Sequence, residues 1–79
     1  MTDPARRAEI LDAAEKLLSH YGVRKTTVAD IAREVGIGTG SVYLEFDSKE
    51  AIVCGLAERA HDSMLKELRA TLEEEAPLA

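Results

Sequence analysis

The stretch Thr27-Val28-Ala29-Asp30-Ile31-Ala32-Arg33-Glu34-Val35-Gly36-Ile37-Gly38-Thr39-Gly40-Ser41-Val42-Tyr43-Leu44-Glu45-Phe46 decides the fold. Thr27 and Asp30 have capping-box spacing, with aspartate in place of the usual glutamate. Behind them Val28, Ile31, Ala32 and Val35 form an i, i+3, i+4, i+7 apolar stripe, which predicts a helix of two to three turns. Gly36 lies where a left-handed cap would stop that helix, because glycine adopts positive φ without a Cβ clash. Ile37 then gives the turn an apolar anchor. From Thr39 or Gly40 to Phe46 a second short helix is expected, with Val42 and Phe46 four apart and able to dock on the first stripe. Two short helices around a tight glycine turn make a helix-turn-helix.

Upstream, Asp3 and Pro4 are a helix-start signal, since aspartate caps free N–H groups and proline suits the first helical position. Ile10, Ala14, Leu17 and Tyr21 continue it as a stripe widened by Leu11 and Leu18, and Gly22 should end it. Arg24 and Lys25 fall in the connection. Downstream, Asp47 and Glu50 offer a cap, and Ile52, Leu56, Ala60, Met64 and Leu68 repeat every four residues in a long helix expected to fray near Thr71. Apolar alternation never persists, so no strand is expected. The fold class is all-α: a three-helix helix-turn-helix domain followed by a longer fourth helix. The corresponding division is 1–47 for the helix-turn-helix domain, 48–72 for a connecting helix, and 73–79 for a disordered acidic tail.

At 79 residues the chain has room for one small domain, which excludes large enzymes. No run approaches the ~20 apolar residues of a membrane span, and Arg6 and Arg7 lead into an amphipathic segment rather than a signal peptide. The expected location is the cytoplasm, without a membrane partner. Cys54 has no cysteine to pair with and is read as a small buried hydrophobe. Glu58, His61 and Asp62 share a helix face, but no second cluster completes a metal cage, and Ser19 and His20 lack a third catalytic group. No enzyme activity, cofactor or metal is expected. The net charge of −5 argues against nucleic acid only until its distribution is read. Residues 1–49 hold seven bases and eight acids, whereas residues 50–79 hold three and seven, so the acidity lies mostly in the tail.

The segment Gly36-Ile37-Gly38-Thr39-Gly40-Ser41 invites a phosphate-loop reading, which fails because Rossmann and P-loop motifs need a preceding strand and a different glycine or lysine spacing. The glycines serve a turn instead. With Val42 and Phe46 buried, the second helix leaves Thr39, Gly40, Ser41, Leu44 and Glu45 facing partly outward. Small residues at such a helix start permit close approach to base edges in a DNA major groove. Lys49 falls in the first turn of the long helix, where the macrodipole disfavours a cation, so local stability leaves it unexplained and a phosphate would explain it. Thr26 and Thr27 begin the first helix of the pair, where hydroxyls and free N–H groups can hold a phosphate oxygen. Tyr43 can direct its hydroxyl at the backbone, and Arg24, Lys25, Arg6 and Arg7 add positive charge that could reach flanking phosphates.

The run from Gly22 to Ile37, continuing through Gly40-Ser41-Val42-Tyr43-Leu44-Glu45-Phe46-Asp47-Ser48-Lys49-Glu50-Ala51-Ile52, resembles the DNA-binding domain of the tetracycline-repressor (TetR) family. Threonine cap, Ile-Ala, Gly, Tyr-x-x-Phe and Ser-Lys-Glu occur in order without a gap. The resemblance covers residues 8 to about 55. It implies a bacterial, nucleoid-associated transcriptional regulator, usually a repressor, that binds double-stranded DNA at a palindromic operator as a homodimer and is released by a small ligand. The residues matching Thr27, Tyr43 and Lys49 contact phosphates in that family. Those matching Val28, Ala29, Thr39, Gly40, Ser41 and Glu45 lie at or near the bases. Glu45 departs by placing an acid near the groove, and Gly38 stands where many relatives carry a serine or asparagine cap. The resemblance implies a second, ligand-binding domain that holds the inducer site and dimer interface, and these 79 residues are expected to contain neither. A monomer or weak dimer is therefore expected of these residues alone. The alternative reading is a helical protein–protein interaction module that uses the fourth helix through Met64, Leu65, Leu68 and Leu72.

Overall fold

A computed structural model describes residues 3–74, and these form four helices with no strand among them: α1 (Pro4–Tyr21), α2 (Val28–Val35), α3 (Thr39–Glu45) and α4 (Lys49–Glu74). The all-α class read from the periodicity is the class observed. At the start of α1, the Asp3 carboxylate accepts from the Ala5 N–H at 3.1 Å with Pro4 in the first helical position. At its end Gly22, with φ of 87°, donates to Leu18 O. The buried stripe is Ile10, Leu11, Ala13 and Ala14, with Leu17 and Leu18 partly covered. Tyr21, expected to continue the stripe, is instead exposed and meets the His20 ring edge-on.

Both halves of the α2 capping box are formed, with Asp30 N–H donating to Thr27 Oγ1 and Thr27 N–H to the Asp30 carboxylate. Gly36 closes the helix in the left-handed region at φ 88° and ψ 32°, and the N–H groups of Gly36 and Ile37 both donate to Ala32 O. The chain can then turn and start α3 from an extended Gly38. Val42 and Phe46 are buried with Ile31, Ala32, Ile10 and Ile52 in a single core.

The long helix departs from expectation in three ways. Its cap is Ser48, whose Oγ accepts from Ala51 N–H, rather than Asp47. It passes Thr71 without a break and includes Glu73 and Glu74, the first residues of the expected acidic tail; residues 75–79 lie outside the described part. The expected division after residue 47 does not follow the core either. Ile52 and Gly55 are buried with the first three helices, so the opening turns of α4 complete their domain. Arg59 reinforces that junction by donating to Asp12 at 2.7 Å and Glu15 at 2.8 Å on α1, while Lys16 of α1 pairs with Glu34 of α2. Every residue from Ala60 to Glu73 is exposed, and the molecule extends 56 × 30 × 18 Å.

A Cβ at position 55 would lie 3.1 Å from Leu11 Cδ2 and 3.2 Å from Phe46 Cε1, so the missing side chain sets how closely α4 approaches. Gly55→Leu is expected to lower the unfolding free energy by about 1–3 kcal/mol, the usual cost of overpacking, in a urea titration followed by circular dichroism. An unchanged midpoint would show that α4 does not pack there.

Candidate nucleic-acid interface

α3 is held by one side and free on the other. Val42 is fully buried and Phe46 nearly so, while Thr39 and Gly40 are exposed, Ser41 is half-buried, and Tyr43 and Leu44 are 51% and 72% exposed. An exposed leucine on a short helix has no packing role in this chain, and its methyl groups suit an apolar contact such as a thymine methyl. On α2, Ala29 is exposed beside Thr27. The first helical hydrogen bond of α2 runs from Ile31 N–H to Thr27 O, so the N–H groups of Val28 and Ala29 precede it and remain for an external acceptor.

Lys49 projects from the first turn of α4 to donate from Nζ to Val23 O at 2.8 Å. This is the local reason for a cation there that the sequence reading did not find. The bond places the ammonium group against the connection that carries exposed Arg24 and Lys25, and it uses one of three N–H donors. An element distant in sequence thus brings the Lys49 ammonium group to the backbone of the α1–α2 connection.

Four readings are corrected. Thr26 is not a phosphate ligand: it is 1% exposed, and its Oγ1 lies 2.9 Å from Gly22 O and 3.3 Å from Leu17 O, so the hydroxyl is engaged in closing the α1–α2 connection. Val28 is not base-facing, because at 9% exposure it belongs to the core stripe of its own helix. Glu45 is half-buried, and its two carboxylate oxygens accept from Asp3 N–H at 3.2 and 3.1 Å, so the acid is turned to the start of α1 rather than outward. Cys54 is exposed, since the core-facing positions of α4 are Ile52 and Gly55. The sequence reading also missed the role of Arg7, whose guanidinium carbon lies 4.3 Å from the Phe46 ring centre and whose Nη1 donates to Glu45 O. Nothing in residue spacing signals that contact. Glu58, His61 and Asp62 are all exposed, and among the described residues no group of three or more histidine, cysteine or acidic side chains is placed to hold a metal.

Residues 10–54, more than half of the chain, match the family of bacterial regulatory proteins designated tetR. The chain belongs to the TetR family. The match contains all of α2 and α3, the two short helices joined by the turn at Gly36. Similar TetR-type relatives include the HTH-type transcriptional repressor KstR2 of Rhodococcus jostii, 54% identical over 48 residues (61% of this chain, 24% of that protein). The HTH-type transcriptional regulator TtgR of Pseudomonas putida is 39% identical over 57 residues, covering 72% of this chain and 27% of its own length. Among solved structures, the fatty acid degradation regulator FadR from Bacillus halodurans superposes with a TM-score of 0.84 at 26% identity, over 94% of this chain and 39% of that one. This TetR-family chain therefore spans well under half the length of the proteins it matches.

Two measurements test the local assignments. Thr26→Val should cost about 1 kcal/mol of stability by removing a buried hydroxyl's hydrogen bonding, yet leave the salt dependence of DNA binding unchanged; a lower salt slope would restore the phosphate role. The Thr27 N–H is the main cause holding the Asp30 carboxyl below its ordinary range. A lowered folded-state value means that this stabilisation is present above the unfolded aspartate's pKa and is lost as pH falls through the folded one. Thermal melts at neutral pH and in acid should show a smaller acid loss in Asp30→Ala than in the unsubstituted chain.

Proposed function

We propose that this chain reads one half-site of a palindromic operator, with α3 entering the major groove and Thr39, Gly40, Ser41 and Leu44 approaching the bases beside Ala29 of α2. Thr27, Tyr43, Lys49, Arg24 and Lys25 hold the phosphates on either side. The observation that carries this reading is the division of α3, with Val42 buried in the core and Gly40, Tyr43 and Leu44 outside it. The flanking cations supply the sequence-independent attraction, and the uncharged helix tip supplies discrimination. The formal charge of −5 does not oppose this, because phosphates respond to the local field at these cations.

For the whole protein we infer a cytoplasmic, nucleoid-associated repressor that acts as a homodimer and carries a ligand-responsive domain. The repressor named among the relatives supports the sign of regulation. Two joined copies bind more tightly than one because the second half-site is engaged at high effective concentration. A second, compatible reading concerns α4. Met64, Leu65, Leu68 and Leu72 are 55%, 42%, 53% and 67% exposed at helical spacing, which favours packing of this face against another helical surface.

The experiment begins with selection of duplexes from a random pool by the 79-residue chain, followed by titration of the selected and scrambled duplexes at several salt concentrations. Lys49→Gln should weaken both about equally and reduce the slope of log K against log salt by ~1. Ser41 and Leu44 substitutions should alter base preference instead. A titration at low salt that moves no amide signal between Thr27 and Lys49 would overturn the reading.

A further inference from the structure

We infer that Arg7 is a positioning residue for DNA reading: from α1 it clamps the C-terminal end of α3 and so fixes how the reading helix projects. This rests on the assignment of α3 as the reading element.

α3 is poorly equipped to hold itself. It has seven residues, its N-cap Gly38 makes no side-chain capping bond, and Val42 is its one buried residue. Helices of this length are not stable alone, so external contacts must set their position. By contrast, the neighbouring α2 has a complete capping box at one end and a left-handed glycine at the other.

Arg7 supplies what α3 lacks. The guanidinium carbon lies over the nearly buried Phe46 ring, 4.3 Å from its centre, while Nη1 donates to Glu45 O at 3.3 Å. That carbonyl belongs to the last residue of the helix, where unsatisfied acceptors and the negative end of the macrodipole favour a cation. In return, the Glu45 carboxylate accepts the backbone N–H of Asp3, the N-cap of α1. Each helix thus satisfies a terminal group of the other, and the exchange crosses about forty residues of sequence. Only a planar, forked cation can stack on a ring and donate from its edge at once, so lysine is not an equivalent here.

The competing role for Arg7 is direct attraction to a phosphate, and Arg7→Lys separates the two because it keeps the charge. Positioning predicts that Arg7→Lys lowers the preference for the selected over the scrambled duplex by roughly five- to a hundredfold, the range of one misread base pair, with an unchanged salt slope. In the free chain, amide hydrogen exchange should rise at Phe46, whose N–H closes the end of α3, and stay unchanged in α2. Should Arg7→Lys prove unfolded, Glu45→Ala removes only the reciprocal arm and should move the same readouts in the same direction.

Wild-type discrimination and wild-type α3 exchange in Arg7→Lys would overturn the inference. So would an Arg7→Ala variant that loses both duplexes equally along with ~1 unit of salt slope, the signature of a phosphate contact. If the unsubstituted chain binds no duplex, the functional reading itself falls and this inference falls with it. If that chain discriminates and the Arg7 variants do too, the clamp alone is wrong.

Discussion

The arrangement depends on the burial of Phe46. This ring follows the last residue of α3, is 3% exposed, and is enclosed by α4 at Gly55, by the core around Ile10 and Val42, and by the Arg7 guanidinium. A seven-residue helix gains little from its own hydrogen bonds, so its orientation follows from where this side chain is buried. The rest of the domain builds the recess that receives it. α1 contributes Leu11, α2 contributes the Ile31–Ala32 surface on which Val42 rests, and α4 contributes a position without a side chain.

A small domain buries a modest fraction of its chain, and this one uses that core to set a shape rather than to enclose a cavity. The surface follows the same logic. The chain is acidic in total, but Glu45 is turned to the start of α1 and Glu34 is paired with Lys16. Lys49 is bonded to Val23 O, next in sequence to the exposed Arg24 and Lys25 of the α1–α2 connection. Net charge describes the chain as a colloid; a phosphate backbone responds to the few residues within a Debye length.

What could be read from sequence was local. The Thr27–Asp30 capping box, the stop at Gly36 and the stripe of Ile31 and Ala32 are each encoded within a few residues, and all three occur in the structure. What could not be read depends on partners far along the chain. Glu45 looked like a groove-facing acid because its acceptor role involves Asp3, and Lys49 looked unexplained because its carbonyl is Val23. Thr26 and Thr27 are alike in type, and only the path of the chain through Gly22 decides which is buried. Cys54 reads as interior because it is apolar and Gly55 carries no hydrophobic signal, whereas the core selects position 55 for its small size.

The bond from Lys49 to Val23 has a consequence for the thermodynamics of any anion that reaches this surface. A free lysine samples many rotamers and loses roughly 1–2 kcal/mol of entropy when it is immobilised. Here the ammonium end is tied to Val23 O in the folded chain, so part of that cost would be met before an oxyanion arrives. An oxyanion bound there would meet a preorganised cation, held by a backbone carbonyl that never touches the ligand.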